Sequence, residues 1–232
     1  INKTLEEIAQ SIFKHWFIDF EFPNENGEPY KSSGGKFKES EIGSIPKNWQ
    51  TSNLNEIIFI TSGKRPKLKS ETNNQEFCYP LIGASSQMGF VNDYLYDEKI
   101  LIIGRVGTLG VVQRFIKKCW PSDNTLVIKS DYYNYVYQIL KNIDYSALNR
   151  GSTQPLLTQT DIKNYKIIIP EHKVLQSYEK ITGKLFEVIE KNKTENATLI
   201  KLRDTLLPKL MSGEIRVPEA EQEVEACLQK NS

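Results

Sequence analysis

Histidine is nearly missing from this chain, with only His15 and His172 among 232 residues. They lie far apart in sequence, each in a helix-like segment where an exposed position is the ordinary role. That leaves little material for a metal site or a Ser-His-Asp arrangement. Cysteine is scarce as well: Cys78, Cys119 and Cys227 are scattered and odd in number. Such spacing fits neither a disulfide framework nor a zinc site, and it suits a reducing cytosol. No apolar run approaches the roughly 18 residues of a membrane span. No basic-then-apolar opening marks a signal peptide, so a cytoplasmic location is expected. The first residue is Ile rather than Met, which hints at a processed or chosen start. Phosphate-loop lysine motifs are absent too. "GRVGTLG" (104–110) follows the strand-like "ILII" but runs into another strand-like run, whereas dinucleotide binding needs a helix there. It reads as a tight hairpin, with glycine supplying positive φ.

What is present is a charged, moderately apolar composition: 39% hydrophobic and 25% charged residues, with a net charge of +1. These values fit a globular chain rather than a disordered one. The small net charge predicts no polyanion partner by itself, but its distribution is uneven. Residues 51–170 carry 14 basic and 10 acidic side chains, against 6 and 8 before them and 10 and 11 after them. A local excess matters more for nucleic-acid binding than the total.

The texture changes along the chain. Residues 2–17 read as an amphipathic helix, with Leu5, Ile8, Ile12 and Phe13 on one face. Residues 22–50 are rich in Gly, Pro, Ser and Asn and read as a long connector with short ordered pieces. From 51 to 170, short β-branched runs recur between turn residues: "IIFI", "YPLIG", "ILIIG", "GVVQRF", "NTLVIK" and "YKIIIP". They predict a curled, mostly antiparallel sheet, with one helix at 133–143, and hence an α+β domain. Residues 171–207 carry a heptad seam through Val174, Tyr178, Ile181, Leu185, Val188, Asn192, Glu195, Leu199, Leu202 and Leu206. Pro170 can open this helix, and Pro208 can close or kink it. The segment from 218 on, with glutamate at alternate positions, reads as a frayed tail.

The chemistry that remains is binding chemistry. "SGKRPKLK" (62–69) places Lys64, Arg65, Lys67 and Lys69 in one predicted loop. "LNRGSTQP" (148–155) places Arg150, Ser152, Thr153 and Gln154 in another. Arg105 and Arg114 flank the predicted hairpin. Lysine and arginine neutralise phosphates, while arginine and glutamine can grip guanine and adenine edges. Charged loops are most often simply solvated, so each loop alone is weak evidence; two in one basic α+β domain point towards DNA.

Four phrases, in order, carry a stronger signal: "LEEIAQSIFKHWFIDFEFP" (5–23), "WPSDNTLVIK" (120–129), "GSTQPLLTQTDIKNYKIIIP" (151–170) and "LIKLRDTLLPKLMSGEIRV" (199–217). Together they resemble the specificity subunits of type I restriction–modification systems. The resemblance spans nearly the whole chain. It implies an N-terminal conserved helix (1–21), a connector (22–50), a target-recognition domain (51–170), a long conserved helix (171–212) and a C-terminal tail (213–232). The family's full-length plan alternates two recognition domains with two helical regions, and this sequence departs from it by carrying one. Asn2, Thr4 and Leu5 align with Asn196, Thr198 and Leu199, as expected if the two ends are equivalent junctions of a duplicated protein.

The resemblance further implies recognition of one half of a bipartite double-stranded DNA site, without catalysis by this chain. S-adenosylmethionine, ATP and Mg are then expected only on partners, the modification (methyltransferase) and restriction subunits. The seam predicts a homodimer of half-subunits made through the helices at 2–17 and 171–207, and no membrane role is expected. Two alternatives stand beside this reading: a targeting segment of a fused restriction–methylation enzyme, and a coiled-coil assembly protein that binds protein rather than DNA.

Overall fold

The computed structural model describes residues 1–148 and 156–229. It separates into two compact units, residues 9–182 and residues 1–8 with 183–232. Helix α1 (Asn2–Phe13) and helix α5 (His172–Ser212) each contribute to both.

The larger unit is α+β. After α1, a π-helical turn (Lys14–Ile18) is followed by Phe20, which has a positive φ of 60°. Then come β1 (Phe37–Ser40), β2 (Gly43–Pro46), β3 (Gln50–Asn53), β4 (Phe59–Ser62), β5 (Tyr79–Ile82) and β6 (Gln87–Val91). Next are β7 (Ile100–Gly104), β8 (Val112–Phe115), β9 (Trp120–Pro121) and β10 (Thr125–Lys129). Helices α2 (Tyr133–Asn142), α3 (Tyr145–Leu148) and α4 (Gln159–Lys163) precede β11 (Lys166–Ile169).

Among the described residues the strands form four small sheets: β1-β2, β4-β10-β7-β8, β11-β3 and β6-β5-β9. Every pairing is antiparallel except β5 with β9. Four of the six apolar runs quoted above fall in the four-stranded sheet, where β7 is buried at all five positions between β10 and β8. Such an apolar run without alternation is what a strand covered on both faces requires. Ile82, Ile100, Ile102, Cys119 and Val127 form a core cluster shared with the three-stranded sheet. Burial there pushes the Cys119 thiol up to about 12.

Helix α2 joins these layers, and its residues from Tyr133 to Leu140 are all buried. The Tyr133 hydroxyl donates to Ile100 O and Phe115 O, at 3.0 and 3.1 Å. The Tyr135 hydroxyl donates to Ile168 O at 2.6 Å. The carboxylate of Glu179, on α5, accepts the backbone N–H groups of Asn134 and Tyr135 at 2.8–3.1 Å. It therefore caps the first turn of α2 from another helix. Burial pushes this carboxyl above the usual carboxylate range, although those N–H groups and Arg114 pull it down.

The aromatic phrase at 13–22 forms a second core. Phe17 meets Tyr135 at 4.7 Å and Tyr178 at 4.9 Å between ring centroids, and Phe22 stacks on Trp49 at 4.6 Å. The segment at 22–50 is thus tied to the domain through Trp49, which is fully buried, and it carries the β1-β2 hairpin.

In the smaller unit, the Asn192 side-chain amide donates to Asn2 Oδ1 at 2.8 Å. Helix α5 covers 41 residues and includes Pro208. One expectation fails here. Residues from 217 form helix α6 (Val217–Gln229) rather than a frayed tail. The intervening turn has Gly213 at φ 75°, with Glu214 N–H bonded to Lys209 O, and Glu219 accepts the Arg216 N–H at 2.8 Å. These groups cap both helix ends, so α6 buries Ala220 where composition alone suggested fraying.

The predicted seam is only partly buried: Tyr178 and Leu206 are, Val174, Leu185, Asn192 and Leu202 are half-buried, and Glu195 is exposed. Ile181, Val188 and Leu199 are 42%, 45% and 41% exposed. In the larger unit the buried stripe of α5 runs instead through Leu175, Tyr178 and Thr182.

Candidate nucleic-acid interface

Five strand ends meet on one edge of the larger unit, and the turn Ser122–Asn124 lies at their centre. Ser122 N–H donates to Ile82 O at the end of β5, at 2.9 Å. Asn124 O accepts Arg105 N–H just past β7, at 2.9 Å. The Asp123 carboxylate accepts Arg65 Nε at 3.0 Å. Thr125 O, at the start of β10, accepts Gly63 N–H just past β4, at 3.0 Å. Pro121 O accepts Lys64 N–H at 3.0 Å, and Trp120 Nε1 donates to Lys64 O at 2.7 Å. The phrase "WPSDNTLVIK", which resemblance singled out, is therefore the anchor of the basic loop. Gly63 makes the approach possible, because an added Cβ would lie 2.6 Å from Pro121 O.

Lys64, Arg65, Lys67 and Lys69 are all exposed. Arg65 is paired with Asp123, yet its side chain is 81% exposed. Exposed pairs of this kind contribute about 0–1 kcal/mol, so a phosphate can displace Asp123. The far end of the loop is also fixed: Ser70 and Phe90 exchange backbone hydrogen bonds of 2.9 and 2.8 Å. Ordered ends lower the entropy that such a loop loses when it binds.

Arg105 is half-buried and begins the β7–β8 connection. That connection is a hairpin, but residues 105–111 make it wide rather than tight, with Gly107 and Gly110 at φ 83° and 82°. Arg105 O accepts Leu157 N–H at 2.9 Å, and Val106 forms an isolated bridge with Leu156. Arg150, Ser152, Thr153 and Gln154 lie outside the described residues, but the chain re-enters beside Arg105. "TQTD" then closes a capping box, Thr158 with Asp161, at the start of α4, and Gln159 reaches Ser62 Oγ at 3.1 Å.

Arg114 does not belong to this face. Its guanidinium stacks between the Tyr133 and Tyr137 rings, 4.5 and 4.7 Å from their centroids, and donates to Asn134 Oδ1 at 2.8 Å. The sequence placed Arg114 only at the flank of the predicted hairpin; its position on β8 turns this side chain onto α2. Both histidines are exposed, and no group of three metal-ligating side chains occurs among the described residues. A cleft of about 970 Å³ opens at the opposite strand ends, around Phe59, Lys129 and His172. Its lining mixes Lys99 and Lys129 with Glu98, Asp131 and Glu171, so it lacks a field of one sign. No helix among the described residues is long and apolar enough to cross a membrane.

One element of the face escaped the sequence reading: the β5–β6 hairpin tip, where Gly83 O accepts Gln113 Nε2 at 2.9 Å. The only signal available was the cluster of serine, glutamine and glycine in "GASSQMG".

Residues 46–203 match the profile of the type I restriction modification DNA specificity domain. The MjaIX type I restriction enzyme specificity subunit of Methanocaldococcus jannaschii is 31% identical, over 94% of this chain and 54% of that protein. The HindI specificity subunit of Haemophilus influenzae is 22% identical, over 93% of this chain and 62% of that protein. The type I restriction–modification S subunit from M. genitalium shares the fold, with a TM-score of 0.61 at 18% identity, over 90% of this chain and 55% of that one. The chain thus spans about half the length of the relatives it matches. Since the matched region takes in the basic loop, the Ser122–Asn124 turn and most of α5, this chain belongs to the type I restriction modification DNA specificity family.

Proposed function

We propose that this chain is a non-catalytic DNA-recognition subunit whose strand-end face binds one half of a bipartite double-stranded site. Adenine methylation then belongs to modification subunits using S-adenosylmethionine. ATP- and Mg-dependent translocation and cleavage belong to a restriction subunit. Such a complex works on DNA in the cytoplasm. The observation that carries this reading is the convergence of Lys64, Arg65 and Arg105 on the Ser122–Asn124 turn, in a chain of the DNA specificity family. Lysines neutralise phosphates and position the duplex, while sequence is read by contacts to base edges. Fluorescence anisotropy with duplex DNA across a salt series tests it. Affinity should fall steeply with salt, as counterion release requires. Salt-insensitive binding, or none, would favour a protein-binding coiled-coil role instead.

A homodimer of half-subunits, paired through α5, goes with this reading. The support is that Ile181, Val188 and Leu199 are each more than 40% exposed on a single chain. Two copies would supply the second recognition domain of the family's plan. Two-fold symmetry is the default for such an assembly.

A further inference from the structure

The β5–β6 hairpin tip, Gly83–Met88, is framed on both sides by the candidate interface. On one side, a Cβ added to Gly104 would lie 3.0 Å from Ala84 Cβ, so the tip rests against the backbone that leads into Arg105. On the other, Ser70, which ends the basic loop, pairs with Phe90 of β6. The tip itself carries no ionisable side chain: Gly83, Ala84, Ser85, Ser86, Gln87 and Met88. The last four are exposed.

The backbone is built to present this segment. Leu81 pairs with Gly89 and Ile82 with Gln87, which leaves Met88 as the extra residue of a β-bulge. Bulges re-aim side chains and are enriched beside functional sites. Gly89 has φ 141°, and an added Cβ would meet Ser70 O at 2.5 Å. Gly83 leaves room for the Met88 sulfur, which an added Cβ would strike. Met88 nevertheless remains 48% exposed, so core packing does not account for it.

We propose that this tip is a base-reading element of the face, with Gln87 and Met88 as specificity-determining residues. The proposal rests on the reading of that face as DNA-binding. An amide is donor and acceptor at once and matches adenine N6 and N7; an exposed apolar group fits the thymine methyl. The surrounding cations hold the phosphates of any sequence alike. Affinity and discrimination are thereby divided between loops that differ in charge.

The test is selection from randomised duplexes by the unaltered chain and by Gln87→Ala, Gln87→Glu, Met88→Ala and Arg65→Ala, followed by salt titrations. Gln87→Ala and Met88→Ala should each relax one or two positions, losing discrimination by roughly tenfold, with the salt slope unchanged. Gln87→Glu should move the preference towards cytosine, whose amino group a carboxylate accepts. Replacing thymine by deoxyuracil at the position relaxed in Met88→Ala should weaken the unaltered chain and not that variant. Arg65→Ala should lower affinity. Unaltered preferences in all the tip variants, with affinity intact, overturn this inference alone. No DNA binding by the unaltered chain overturns the proposed function and this inference with it.

Discussion

Arg65 and Asp123 face each other at 3.0 Å on an exposed edge, and their opposite charges make opposite predictions. Arg65→Ala should weaken DNA binding and reduce the salt slope by about 1 if it holds a phosphate, or cost about 1–3 kcal/mol at one base position if it reads a base. Asp123→Asn removes the internal competitor and should tighten binding; anisotropy at two salt concentrations reads both. Tyr178 makes a different point. It is fully buried among Phe13, Trp16, Phe17 and Tyr135, and its hydroxyl has no hydrogen-bond partner among the described residues. Replacing a buried, unsatisfied polar group by an apolar shape is neutral or stabilising. Tyr178→Phe should therefore leave the thermal midpoint unchanged or raise it, whereas a partnered hydroxyl would lower it.

Helix α2 takes its N-terminal cap from α5, through Glu179. Glu179→Ala leaves two buried N–H groups without an acceptor and should cost about 1–3 kcal/mol. Glu179→Gln keeps an acceptor and removes the charge. The folded-state pKa of Glu179 is raised, so its contribution to stability is present below the ordinary glutamate value of about 4.3 and is lost as pH rises through the raised value. Thermal midpoints of the unaltered chain should consequently decline relative to Glu179→Gln over that rise. A constant difference between the two would contradict this account of the burial.

For the molecule as a whole, the proposed pairing of two chains fixes the form of the target. Identical recognition domains related by a two-fold axis read inverted, identical half-sites, so the site should be an interrupted palindrome. Its gap would be set by α5, which at 41 residues spans about 60 Å. Leu185→Asp with Leu199→Asp should give a monomer by light scattering, with weak binding to the split site. A monomeric unaltered chain at micromolar concentration would rule out the dimer. Two unrelated half-sites would rule out its symmetry.

Periodicity and composition by themselves determined the α+β class, the central strands and the long helix. Runs such as "ILII" (100–103) and "LVI" (126–128) are apolar at every position, and a strand buried on both faces admits little else. The basic loop was legible for a similar reason, since four cations beside a proline have few other places to be. The sequence did not show what those loops lie against. The placement of the Ser122–Asn124 turn, of the β5–β6 tip and of Arg114 depends on hydrogen bonds and ring contacts between residues 19 to 62 positions apart. Those contacts leave no periodic trace, because turn backbones bond through groups that every residue carries. Tertiary structure alone therefore shows that Arg105 lies beside the Ser122–Asn124 turn and that Arg114 packs between the Tyr133 and Tyr137 rings.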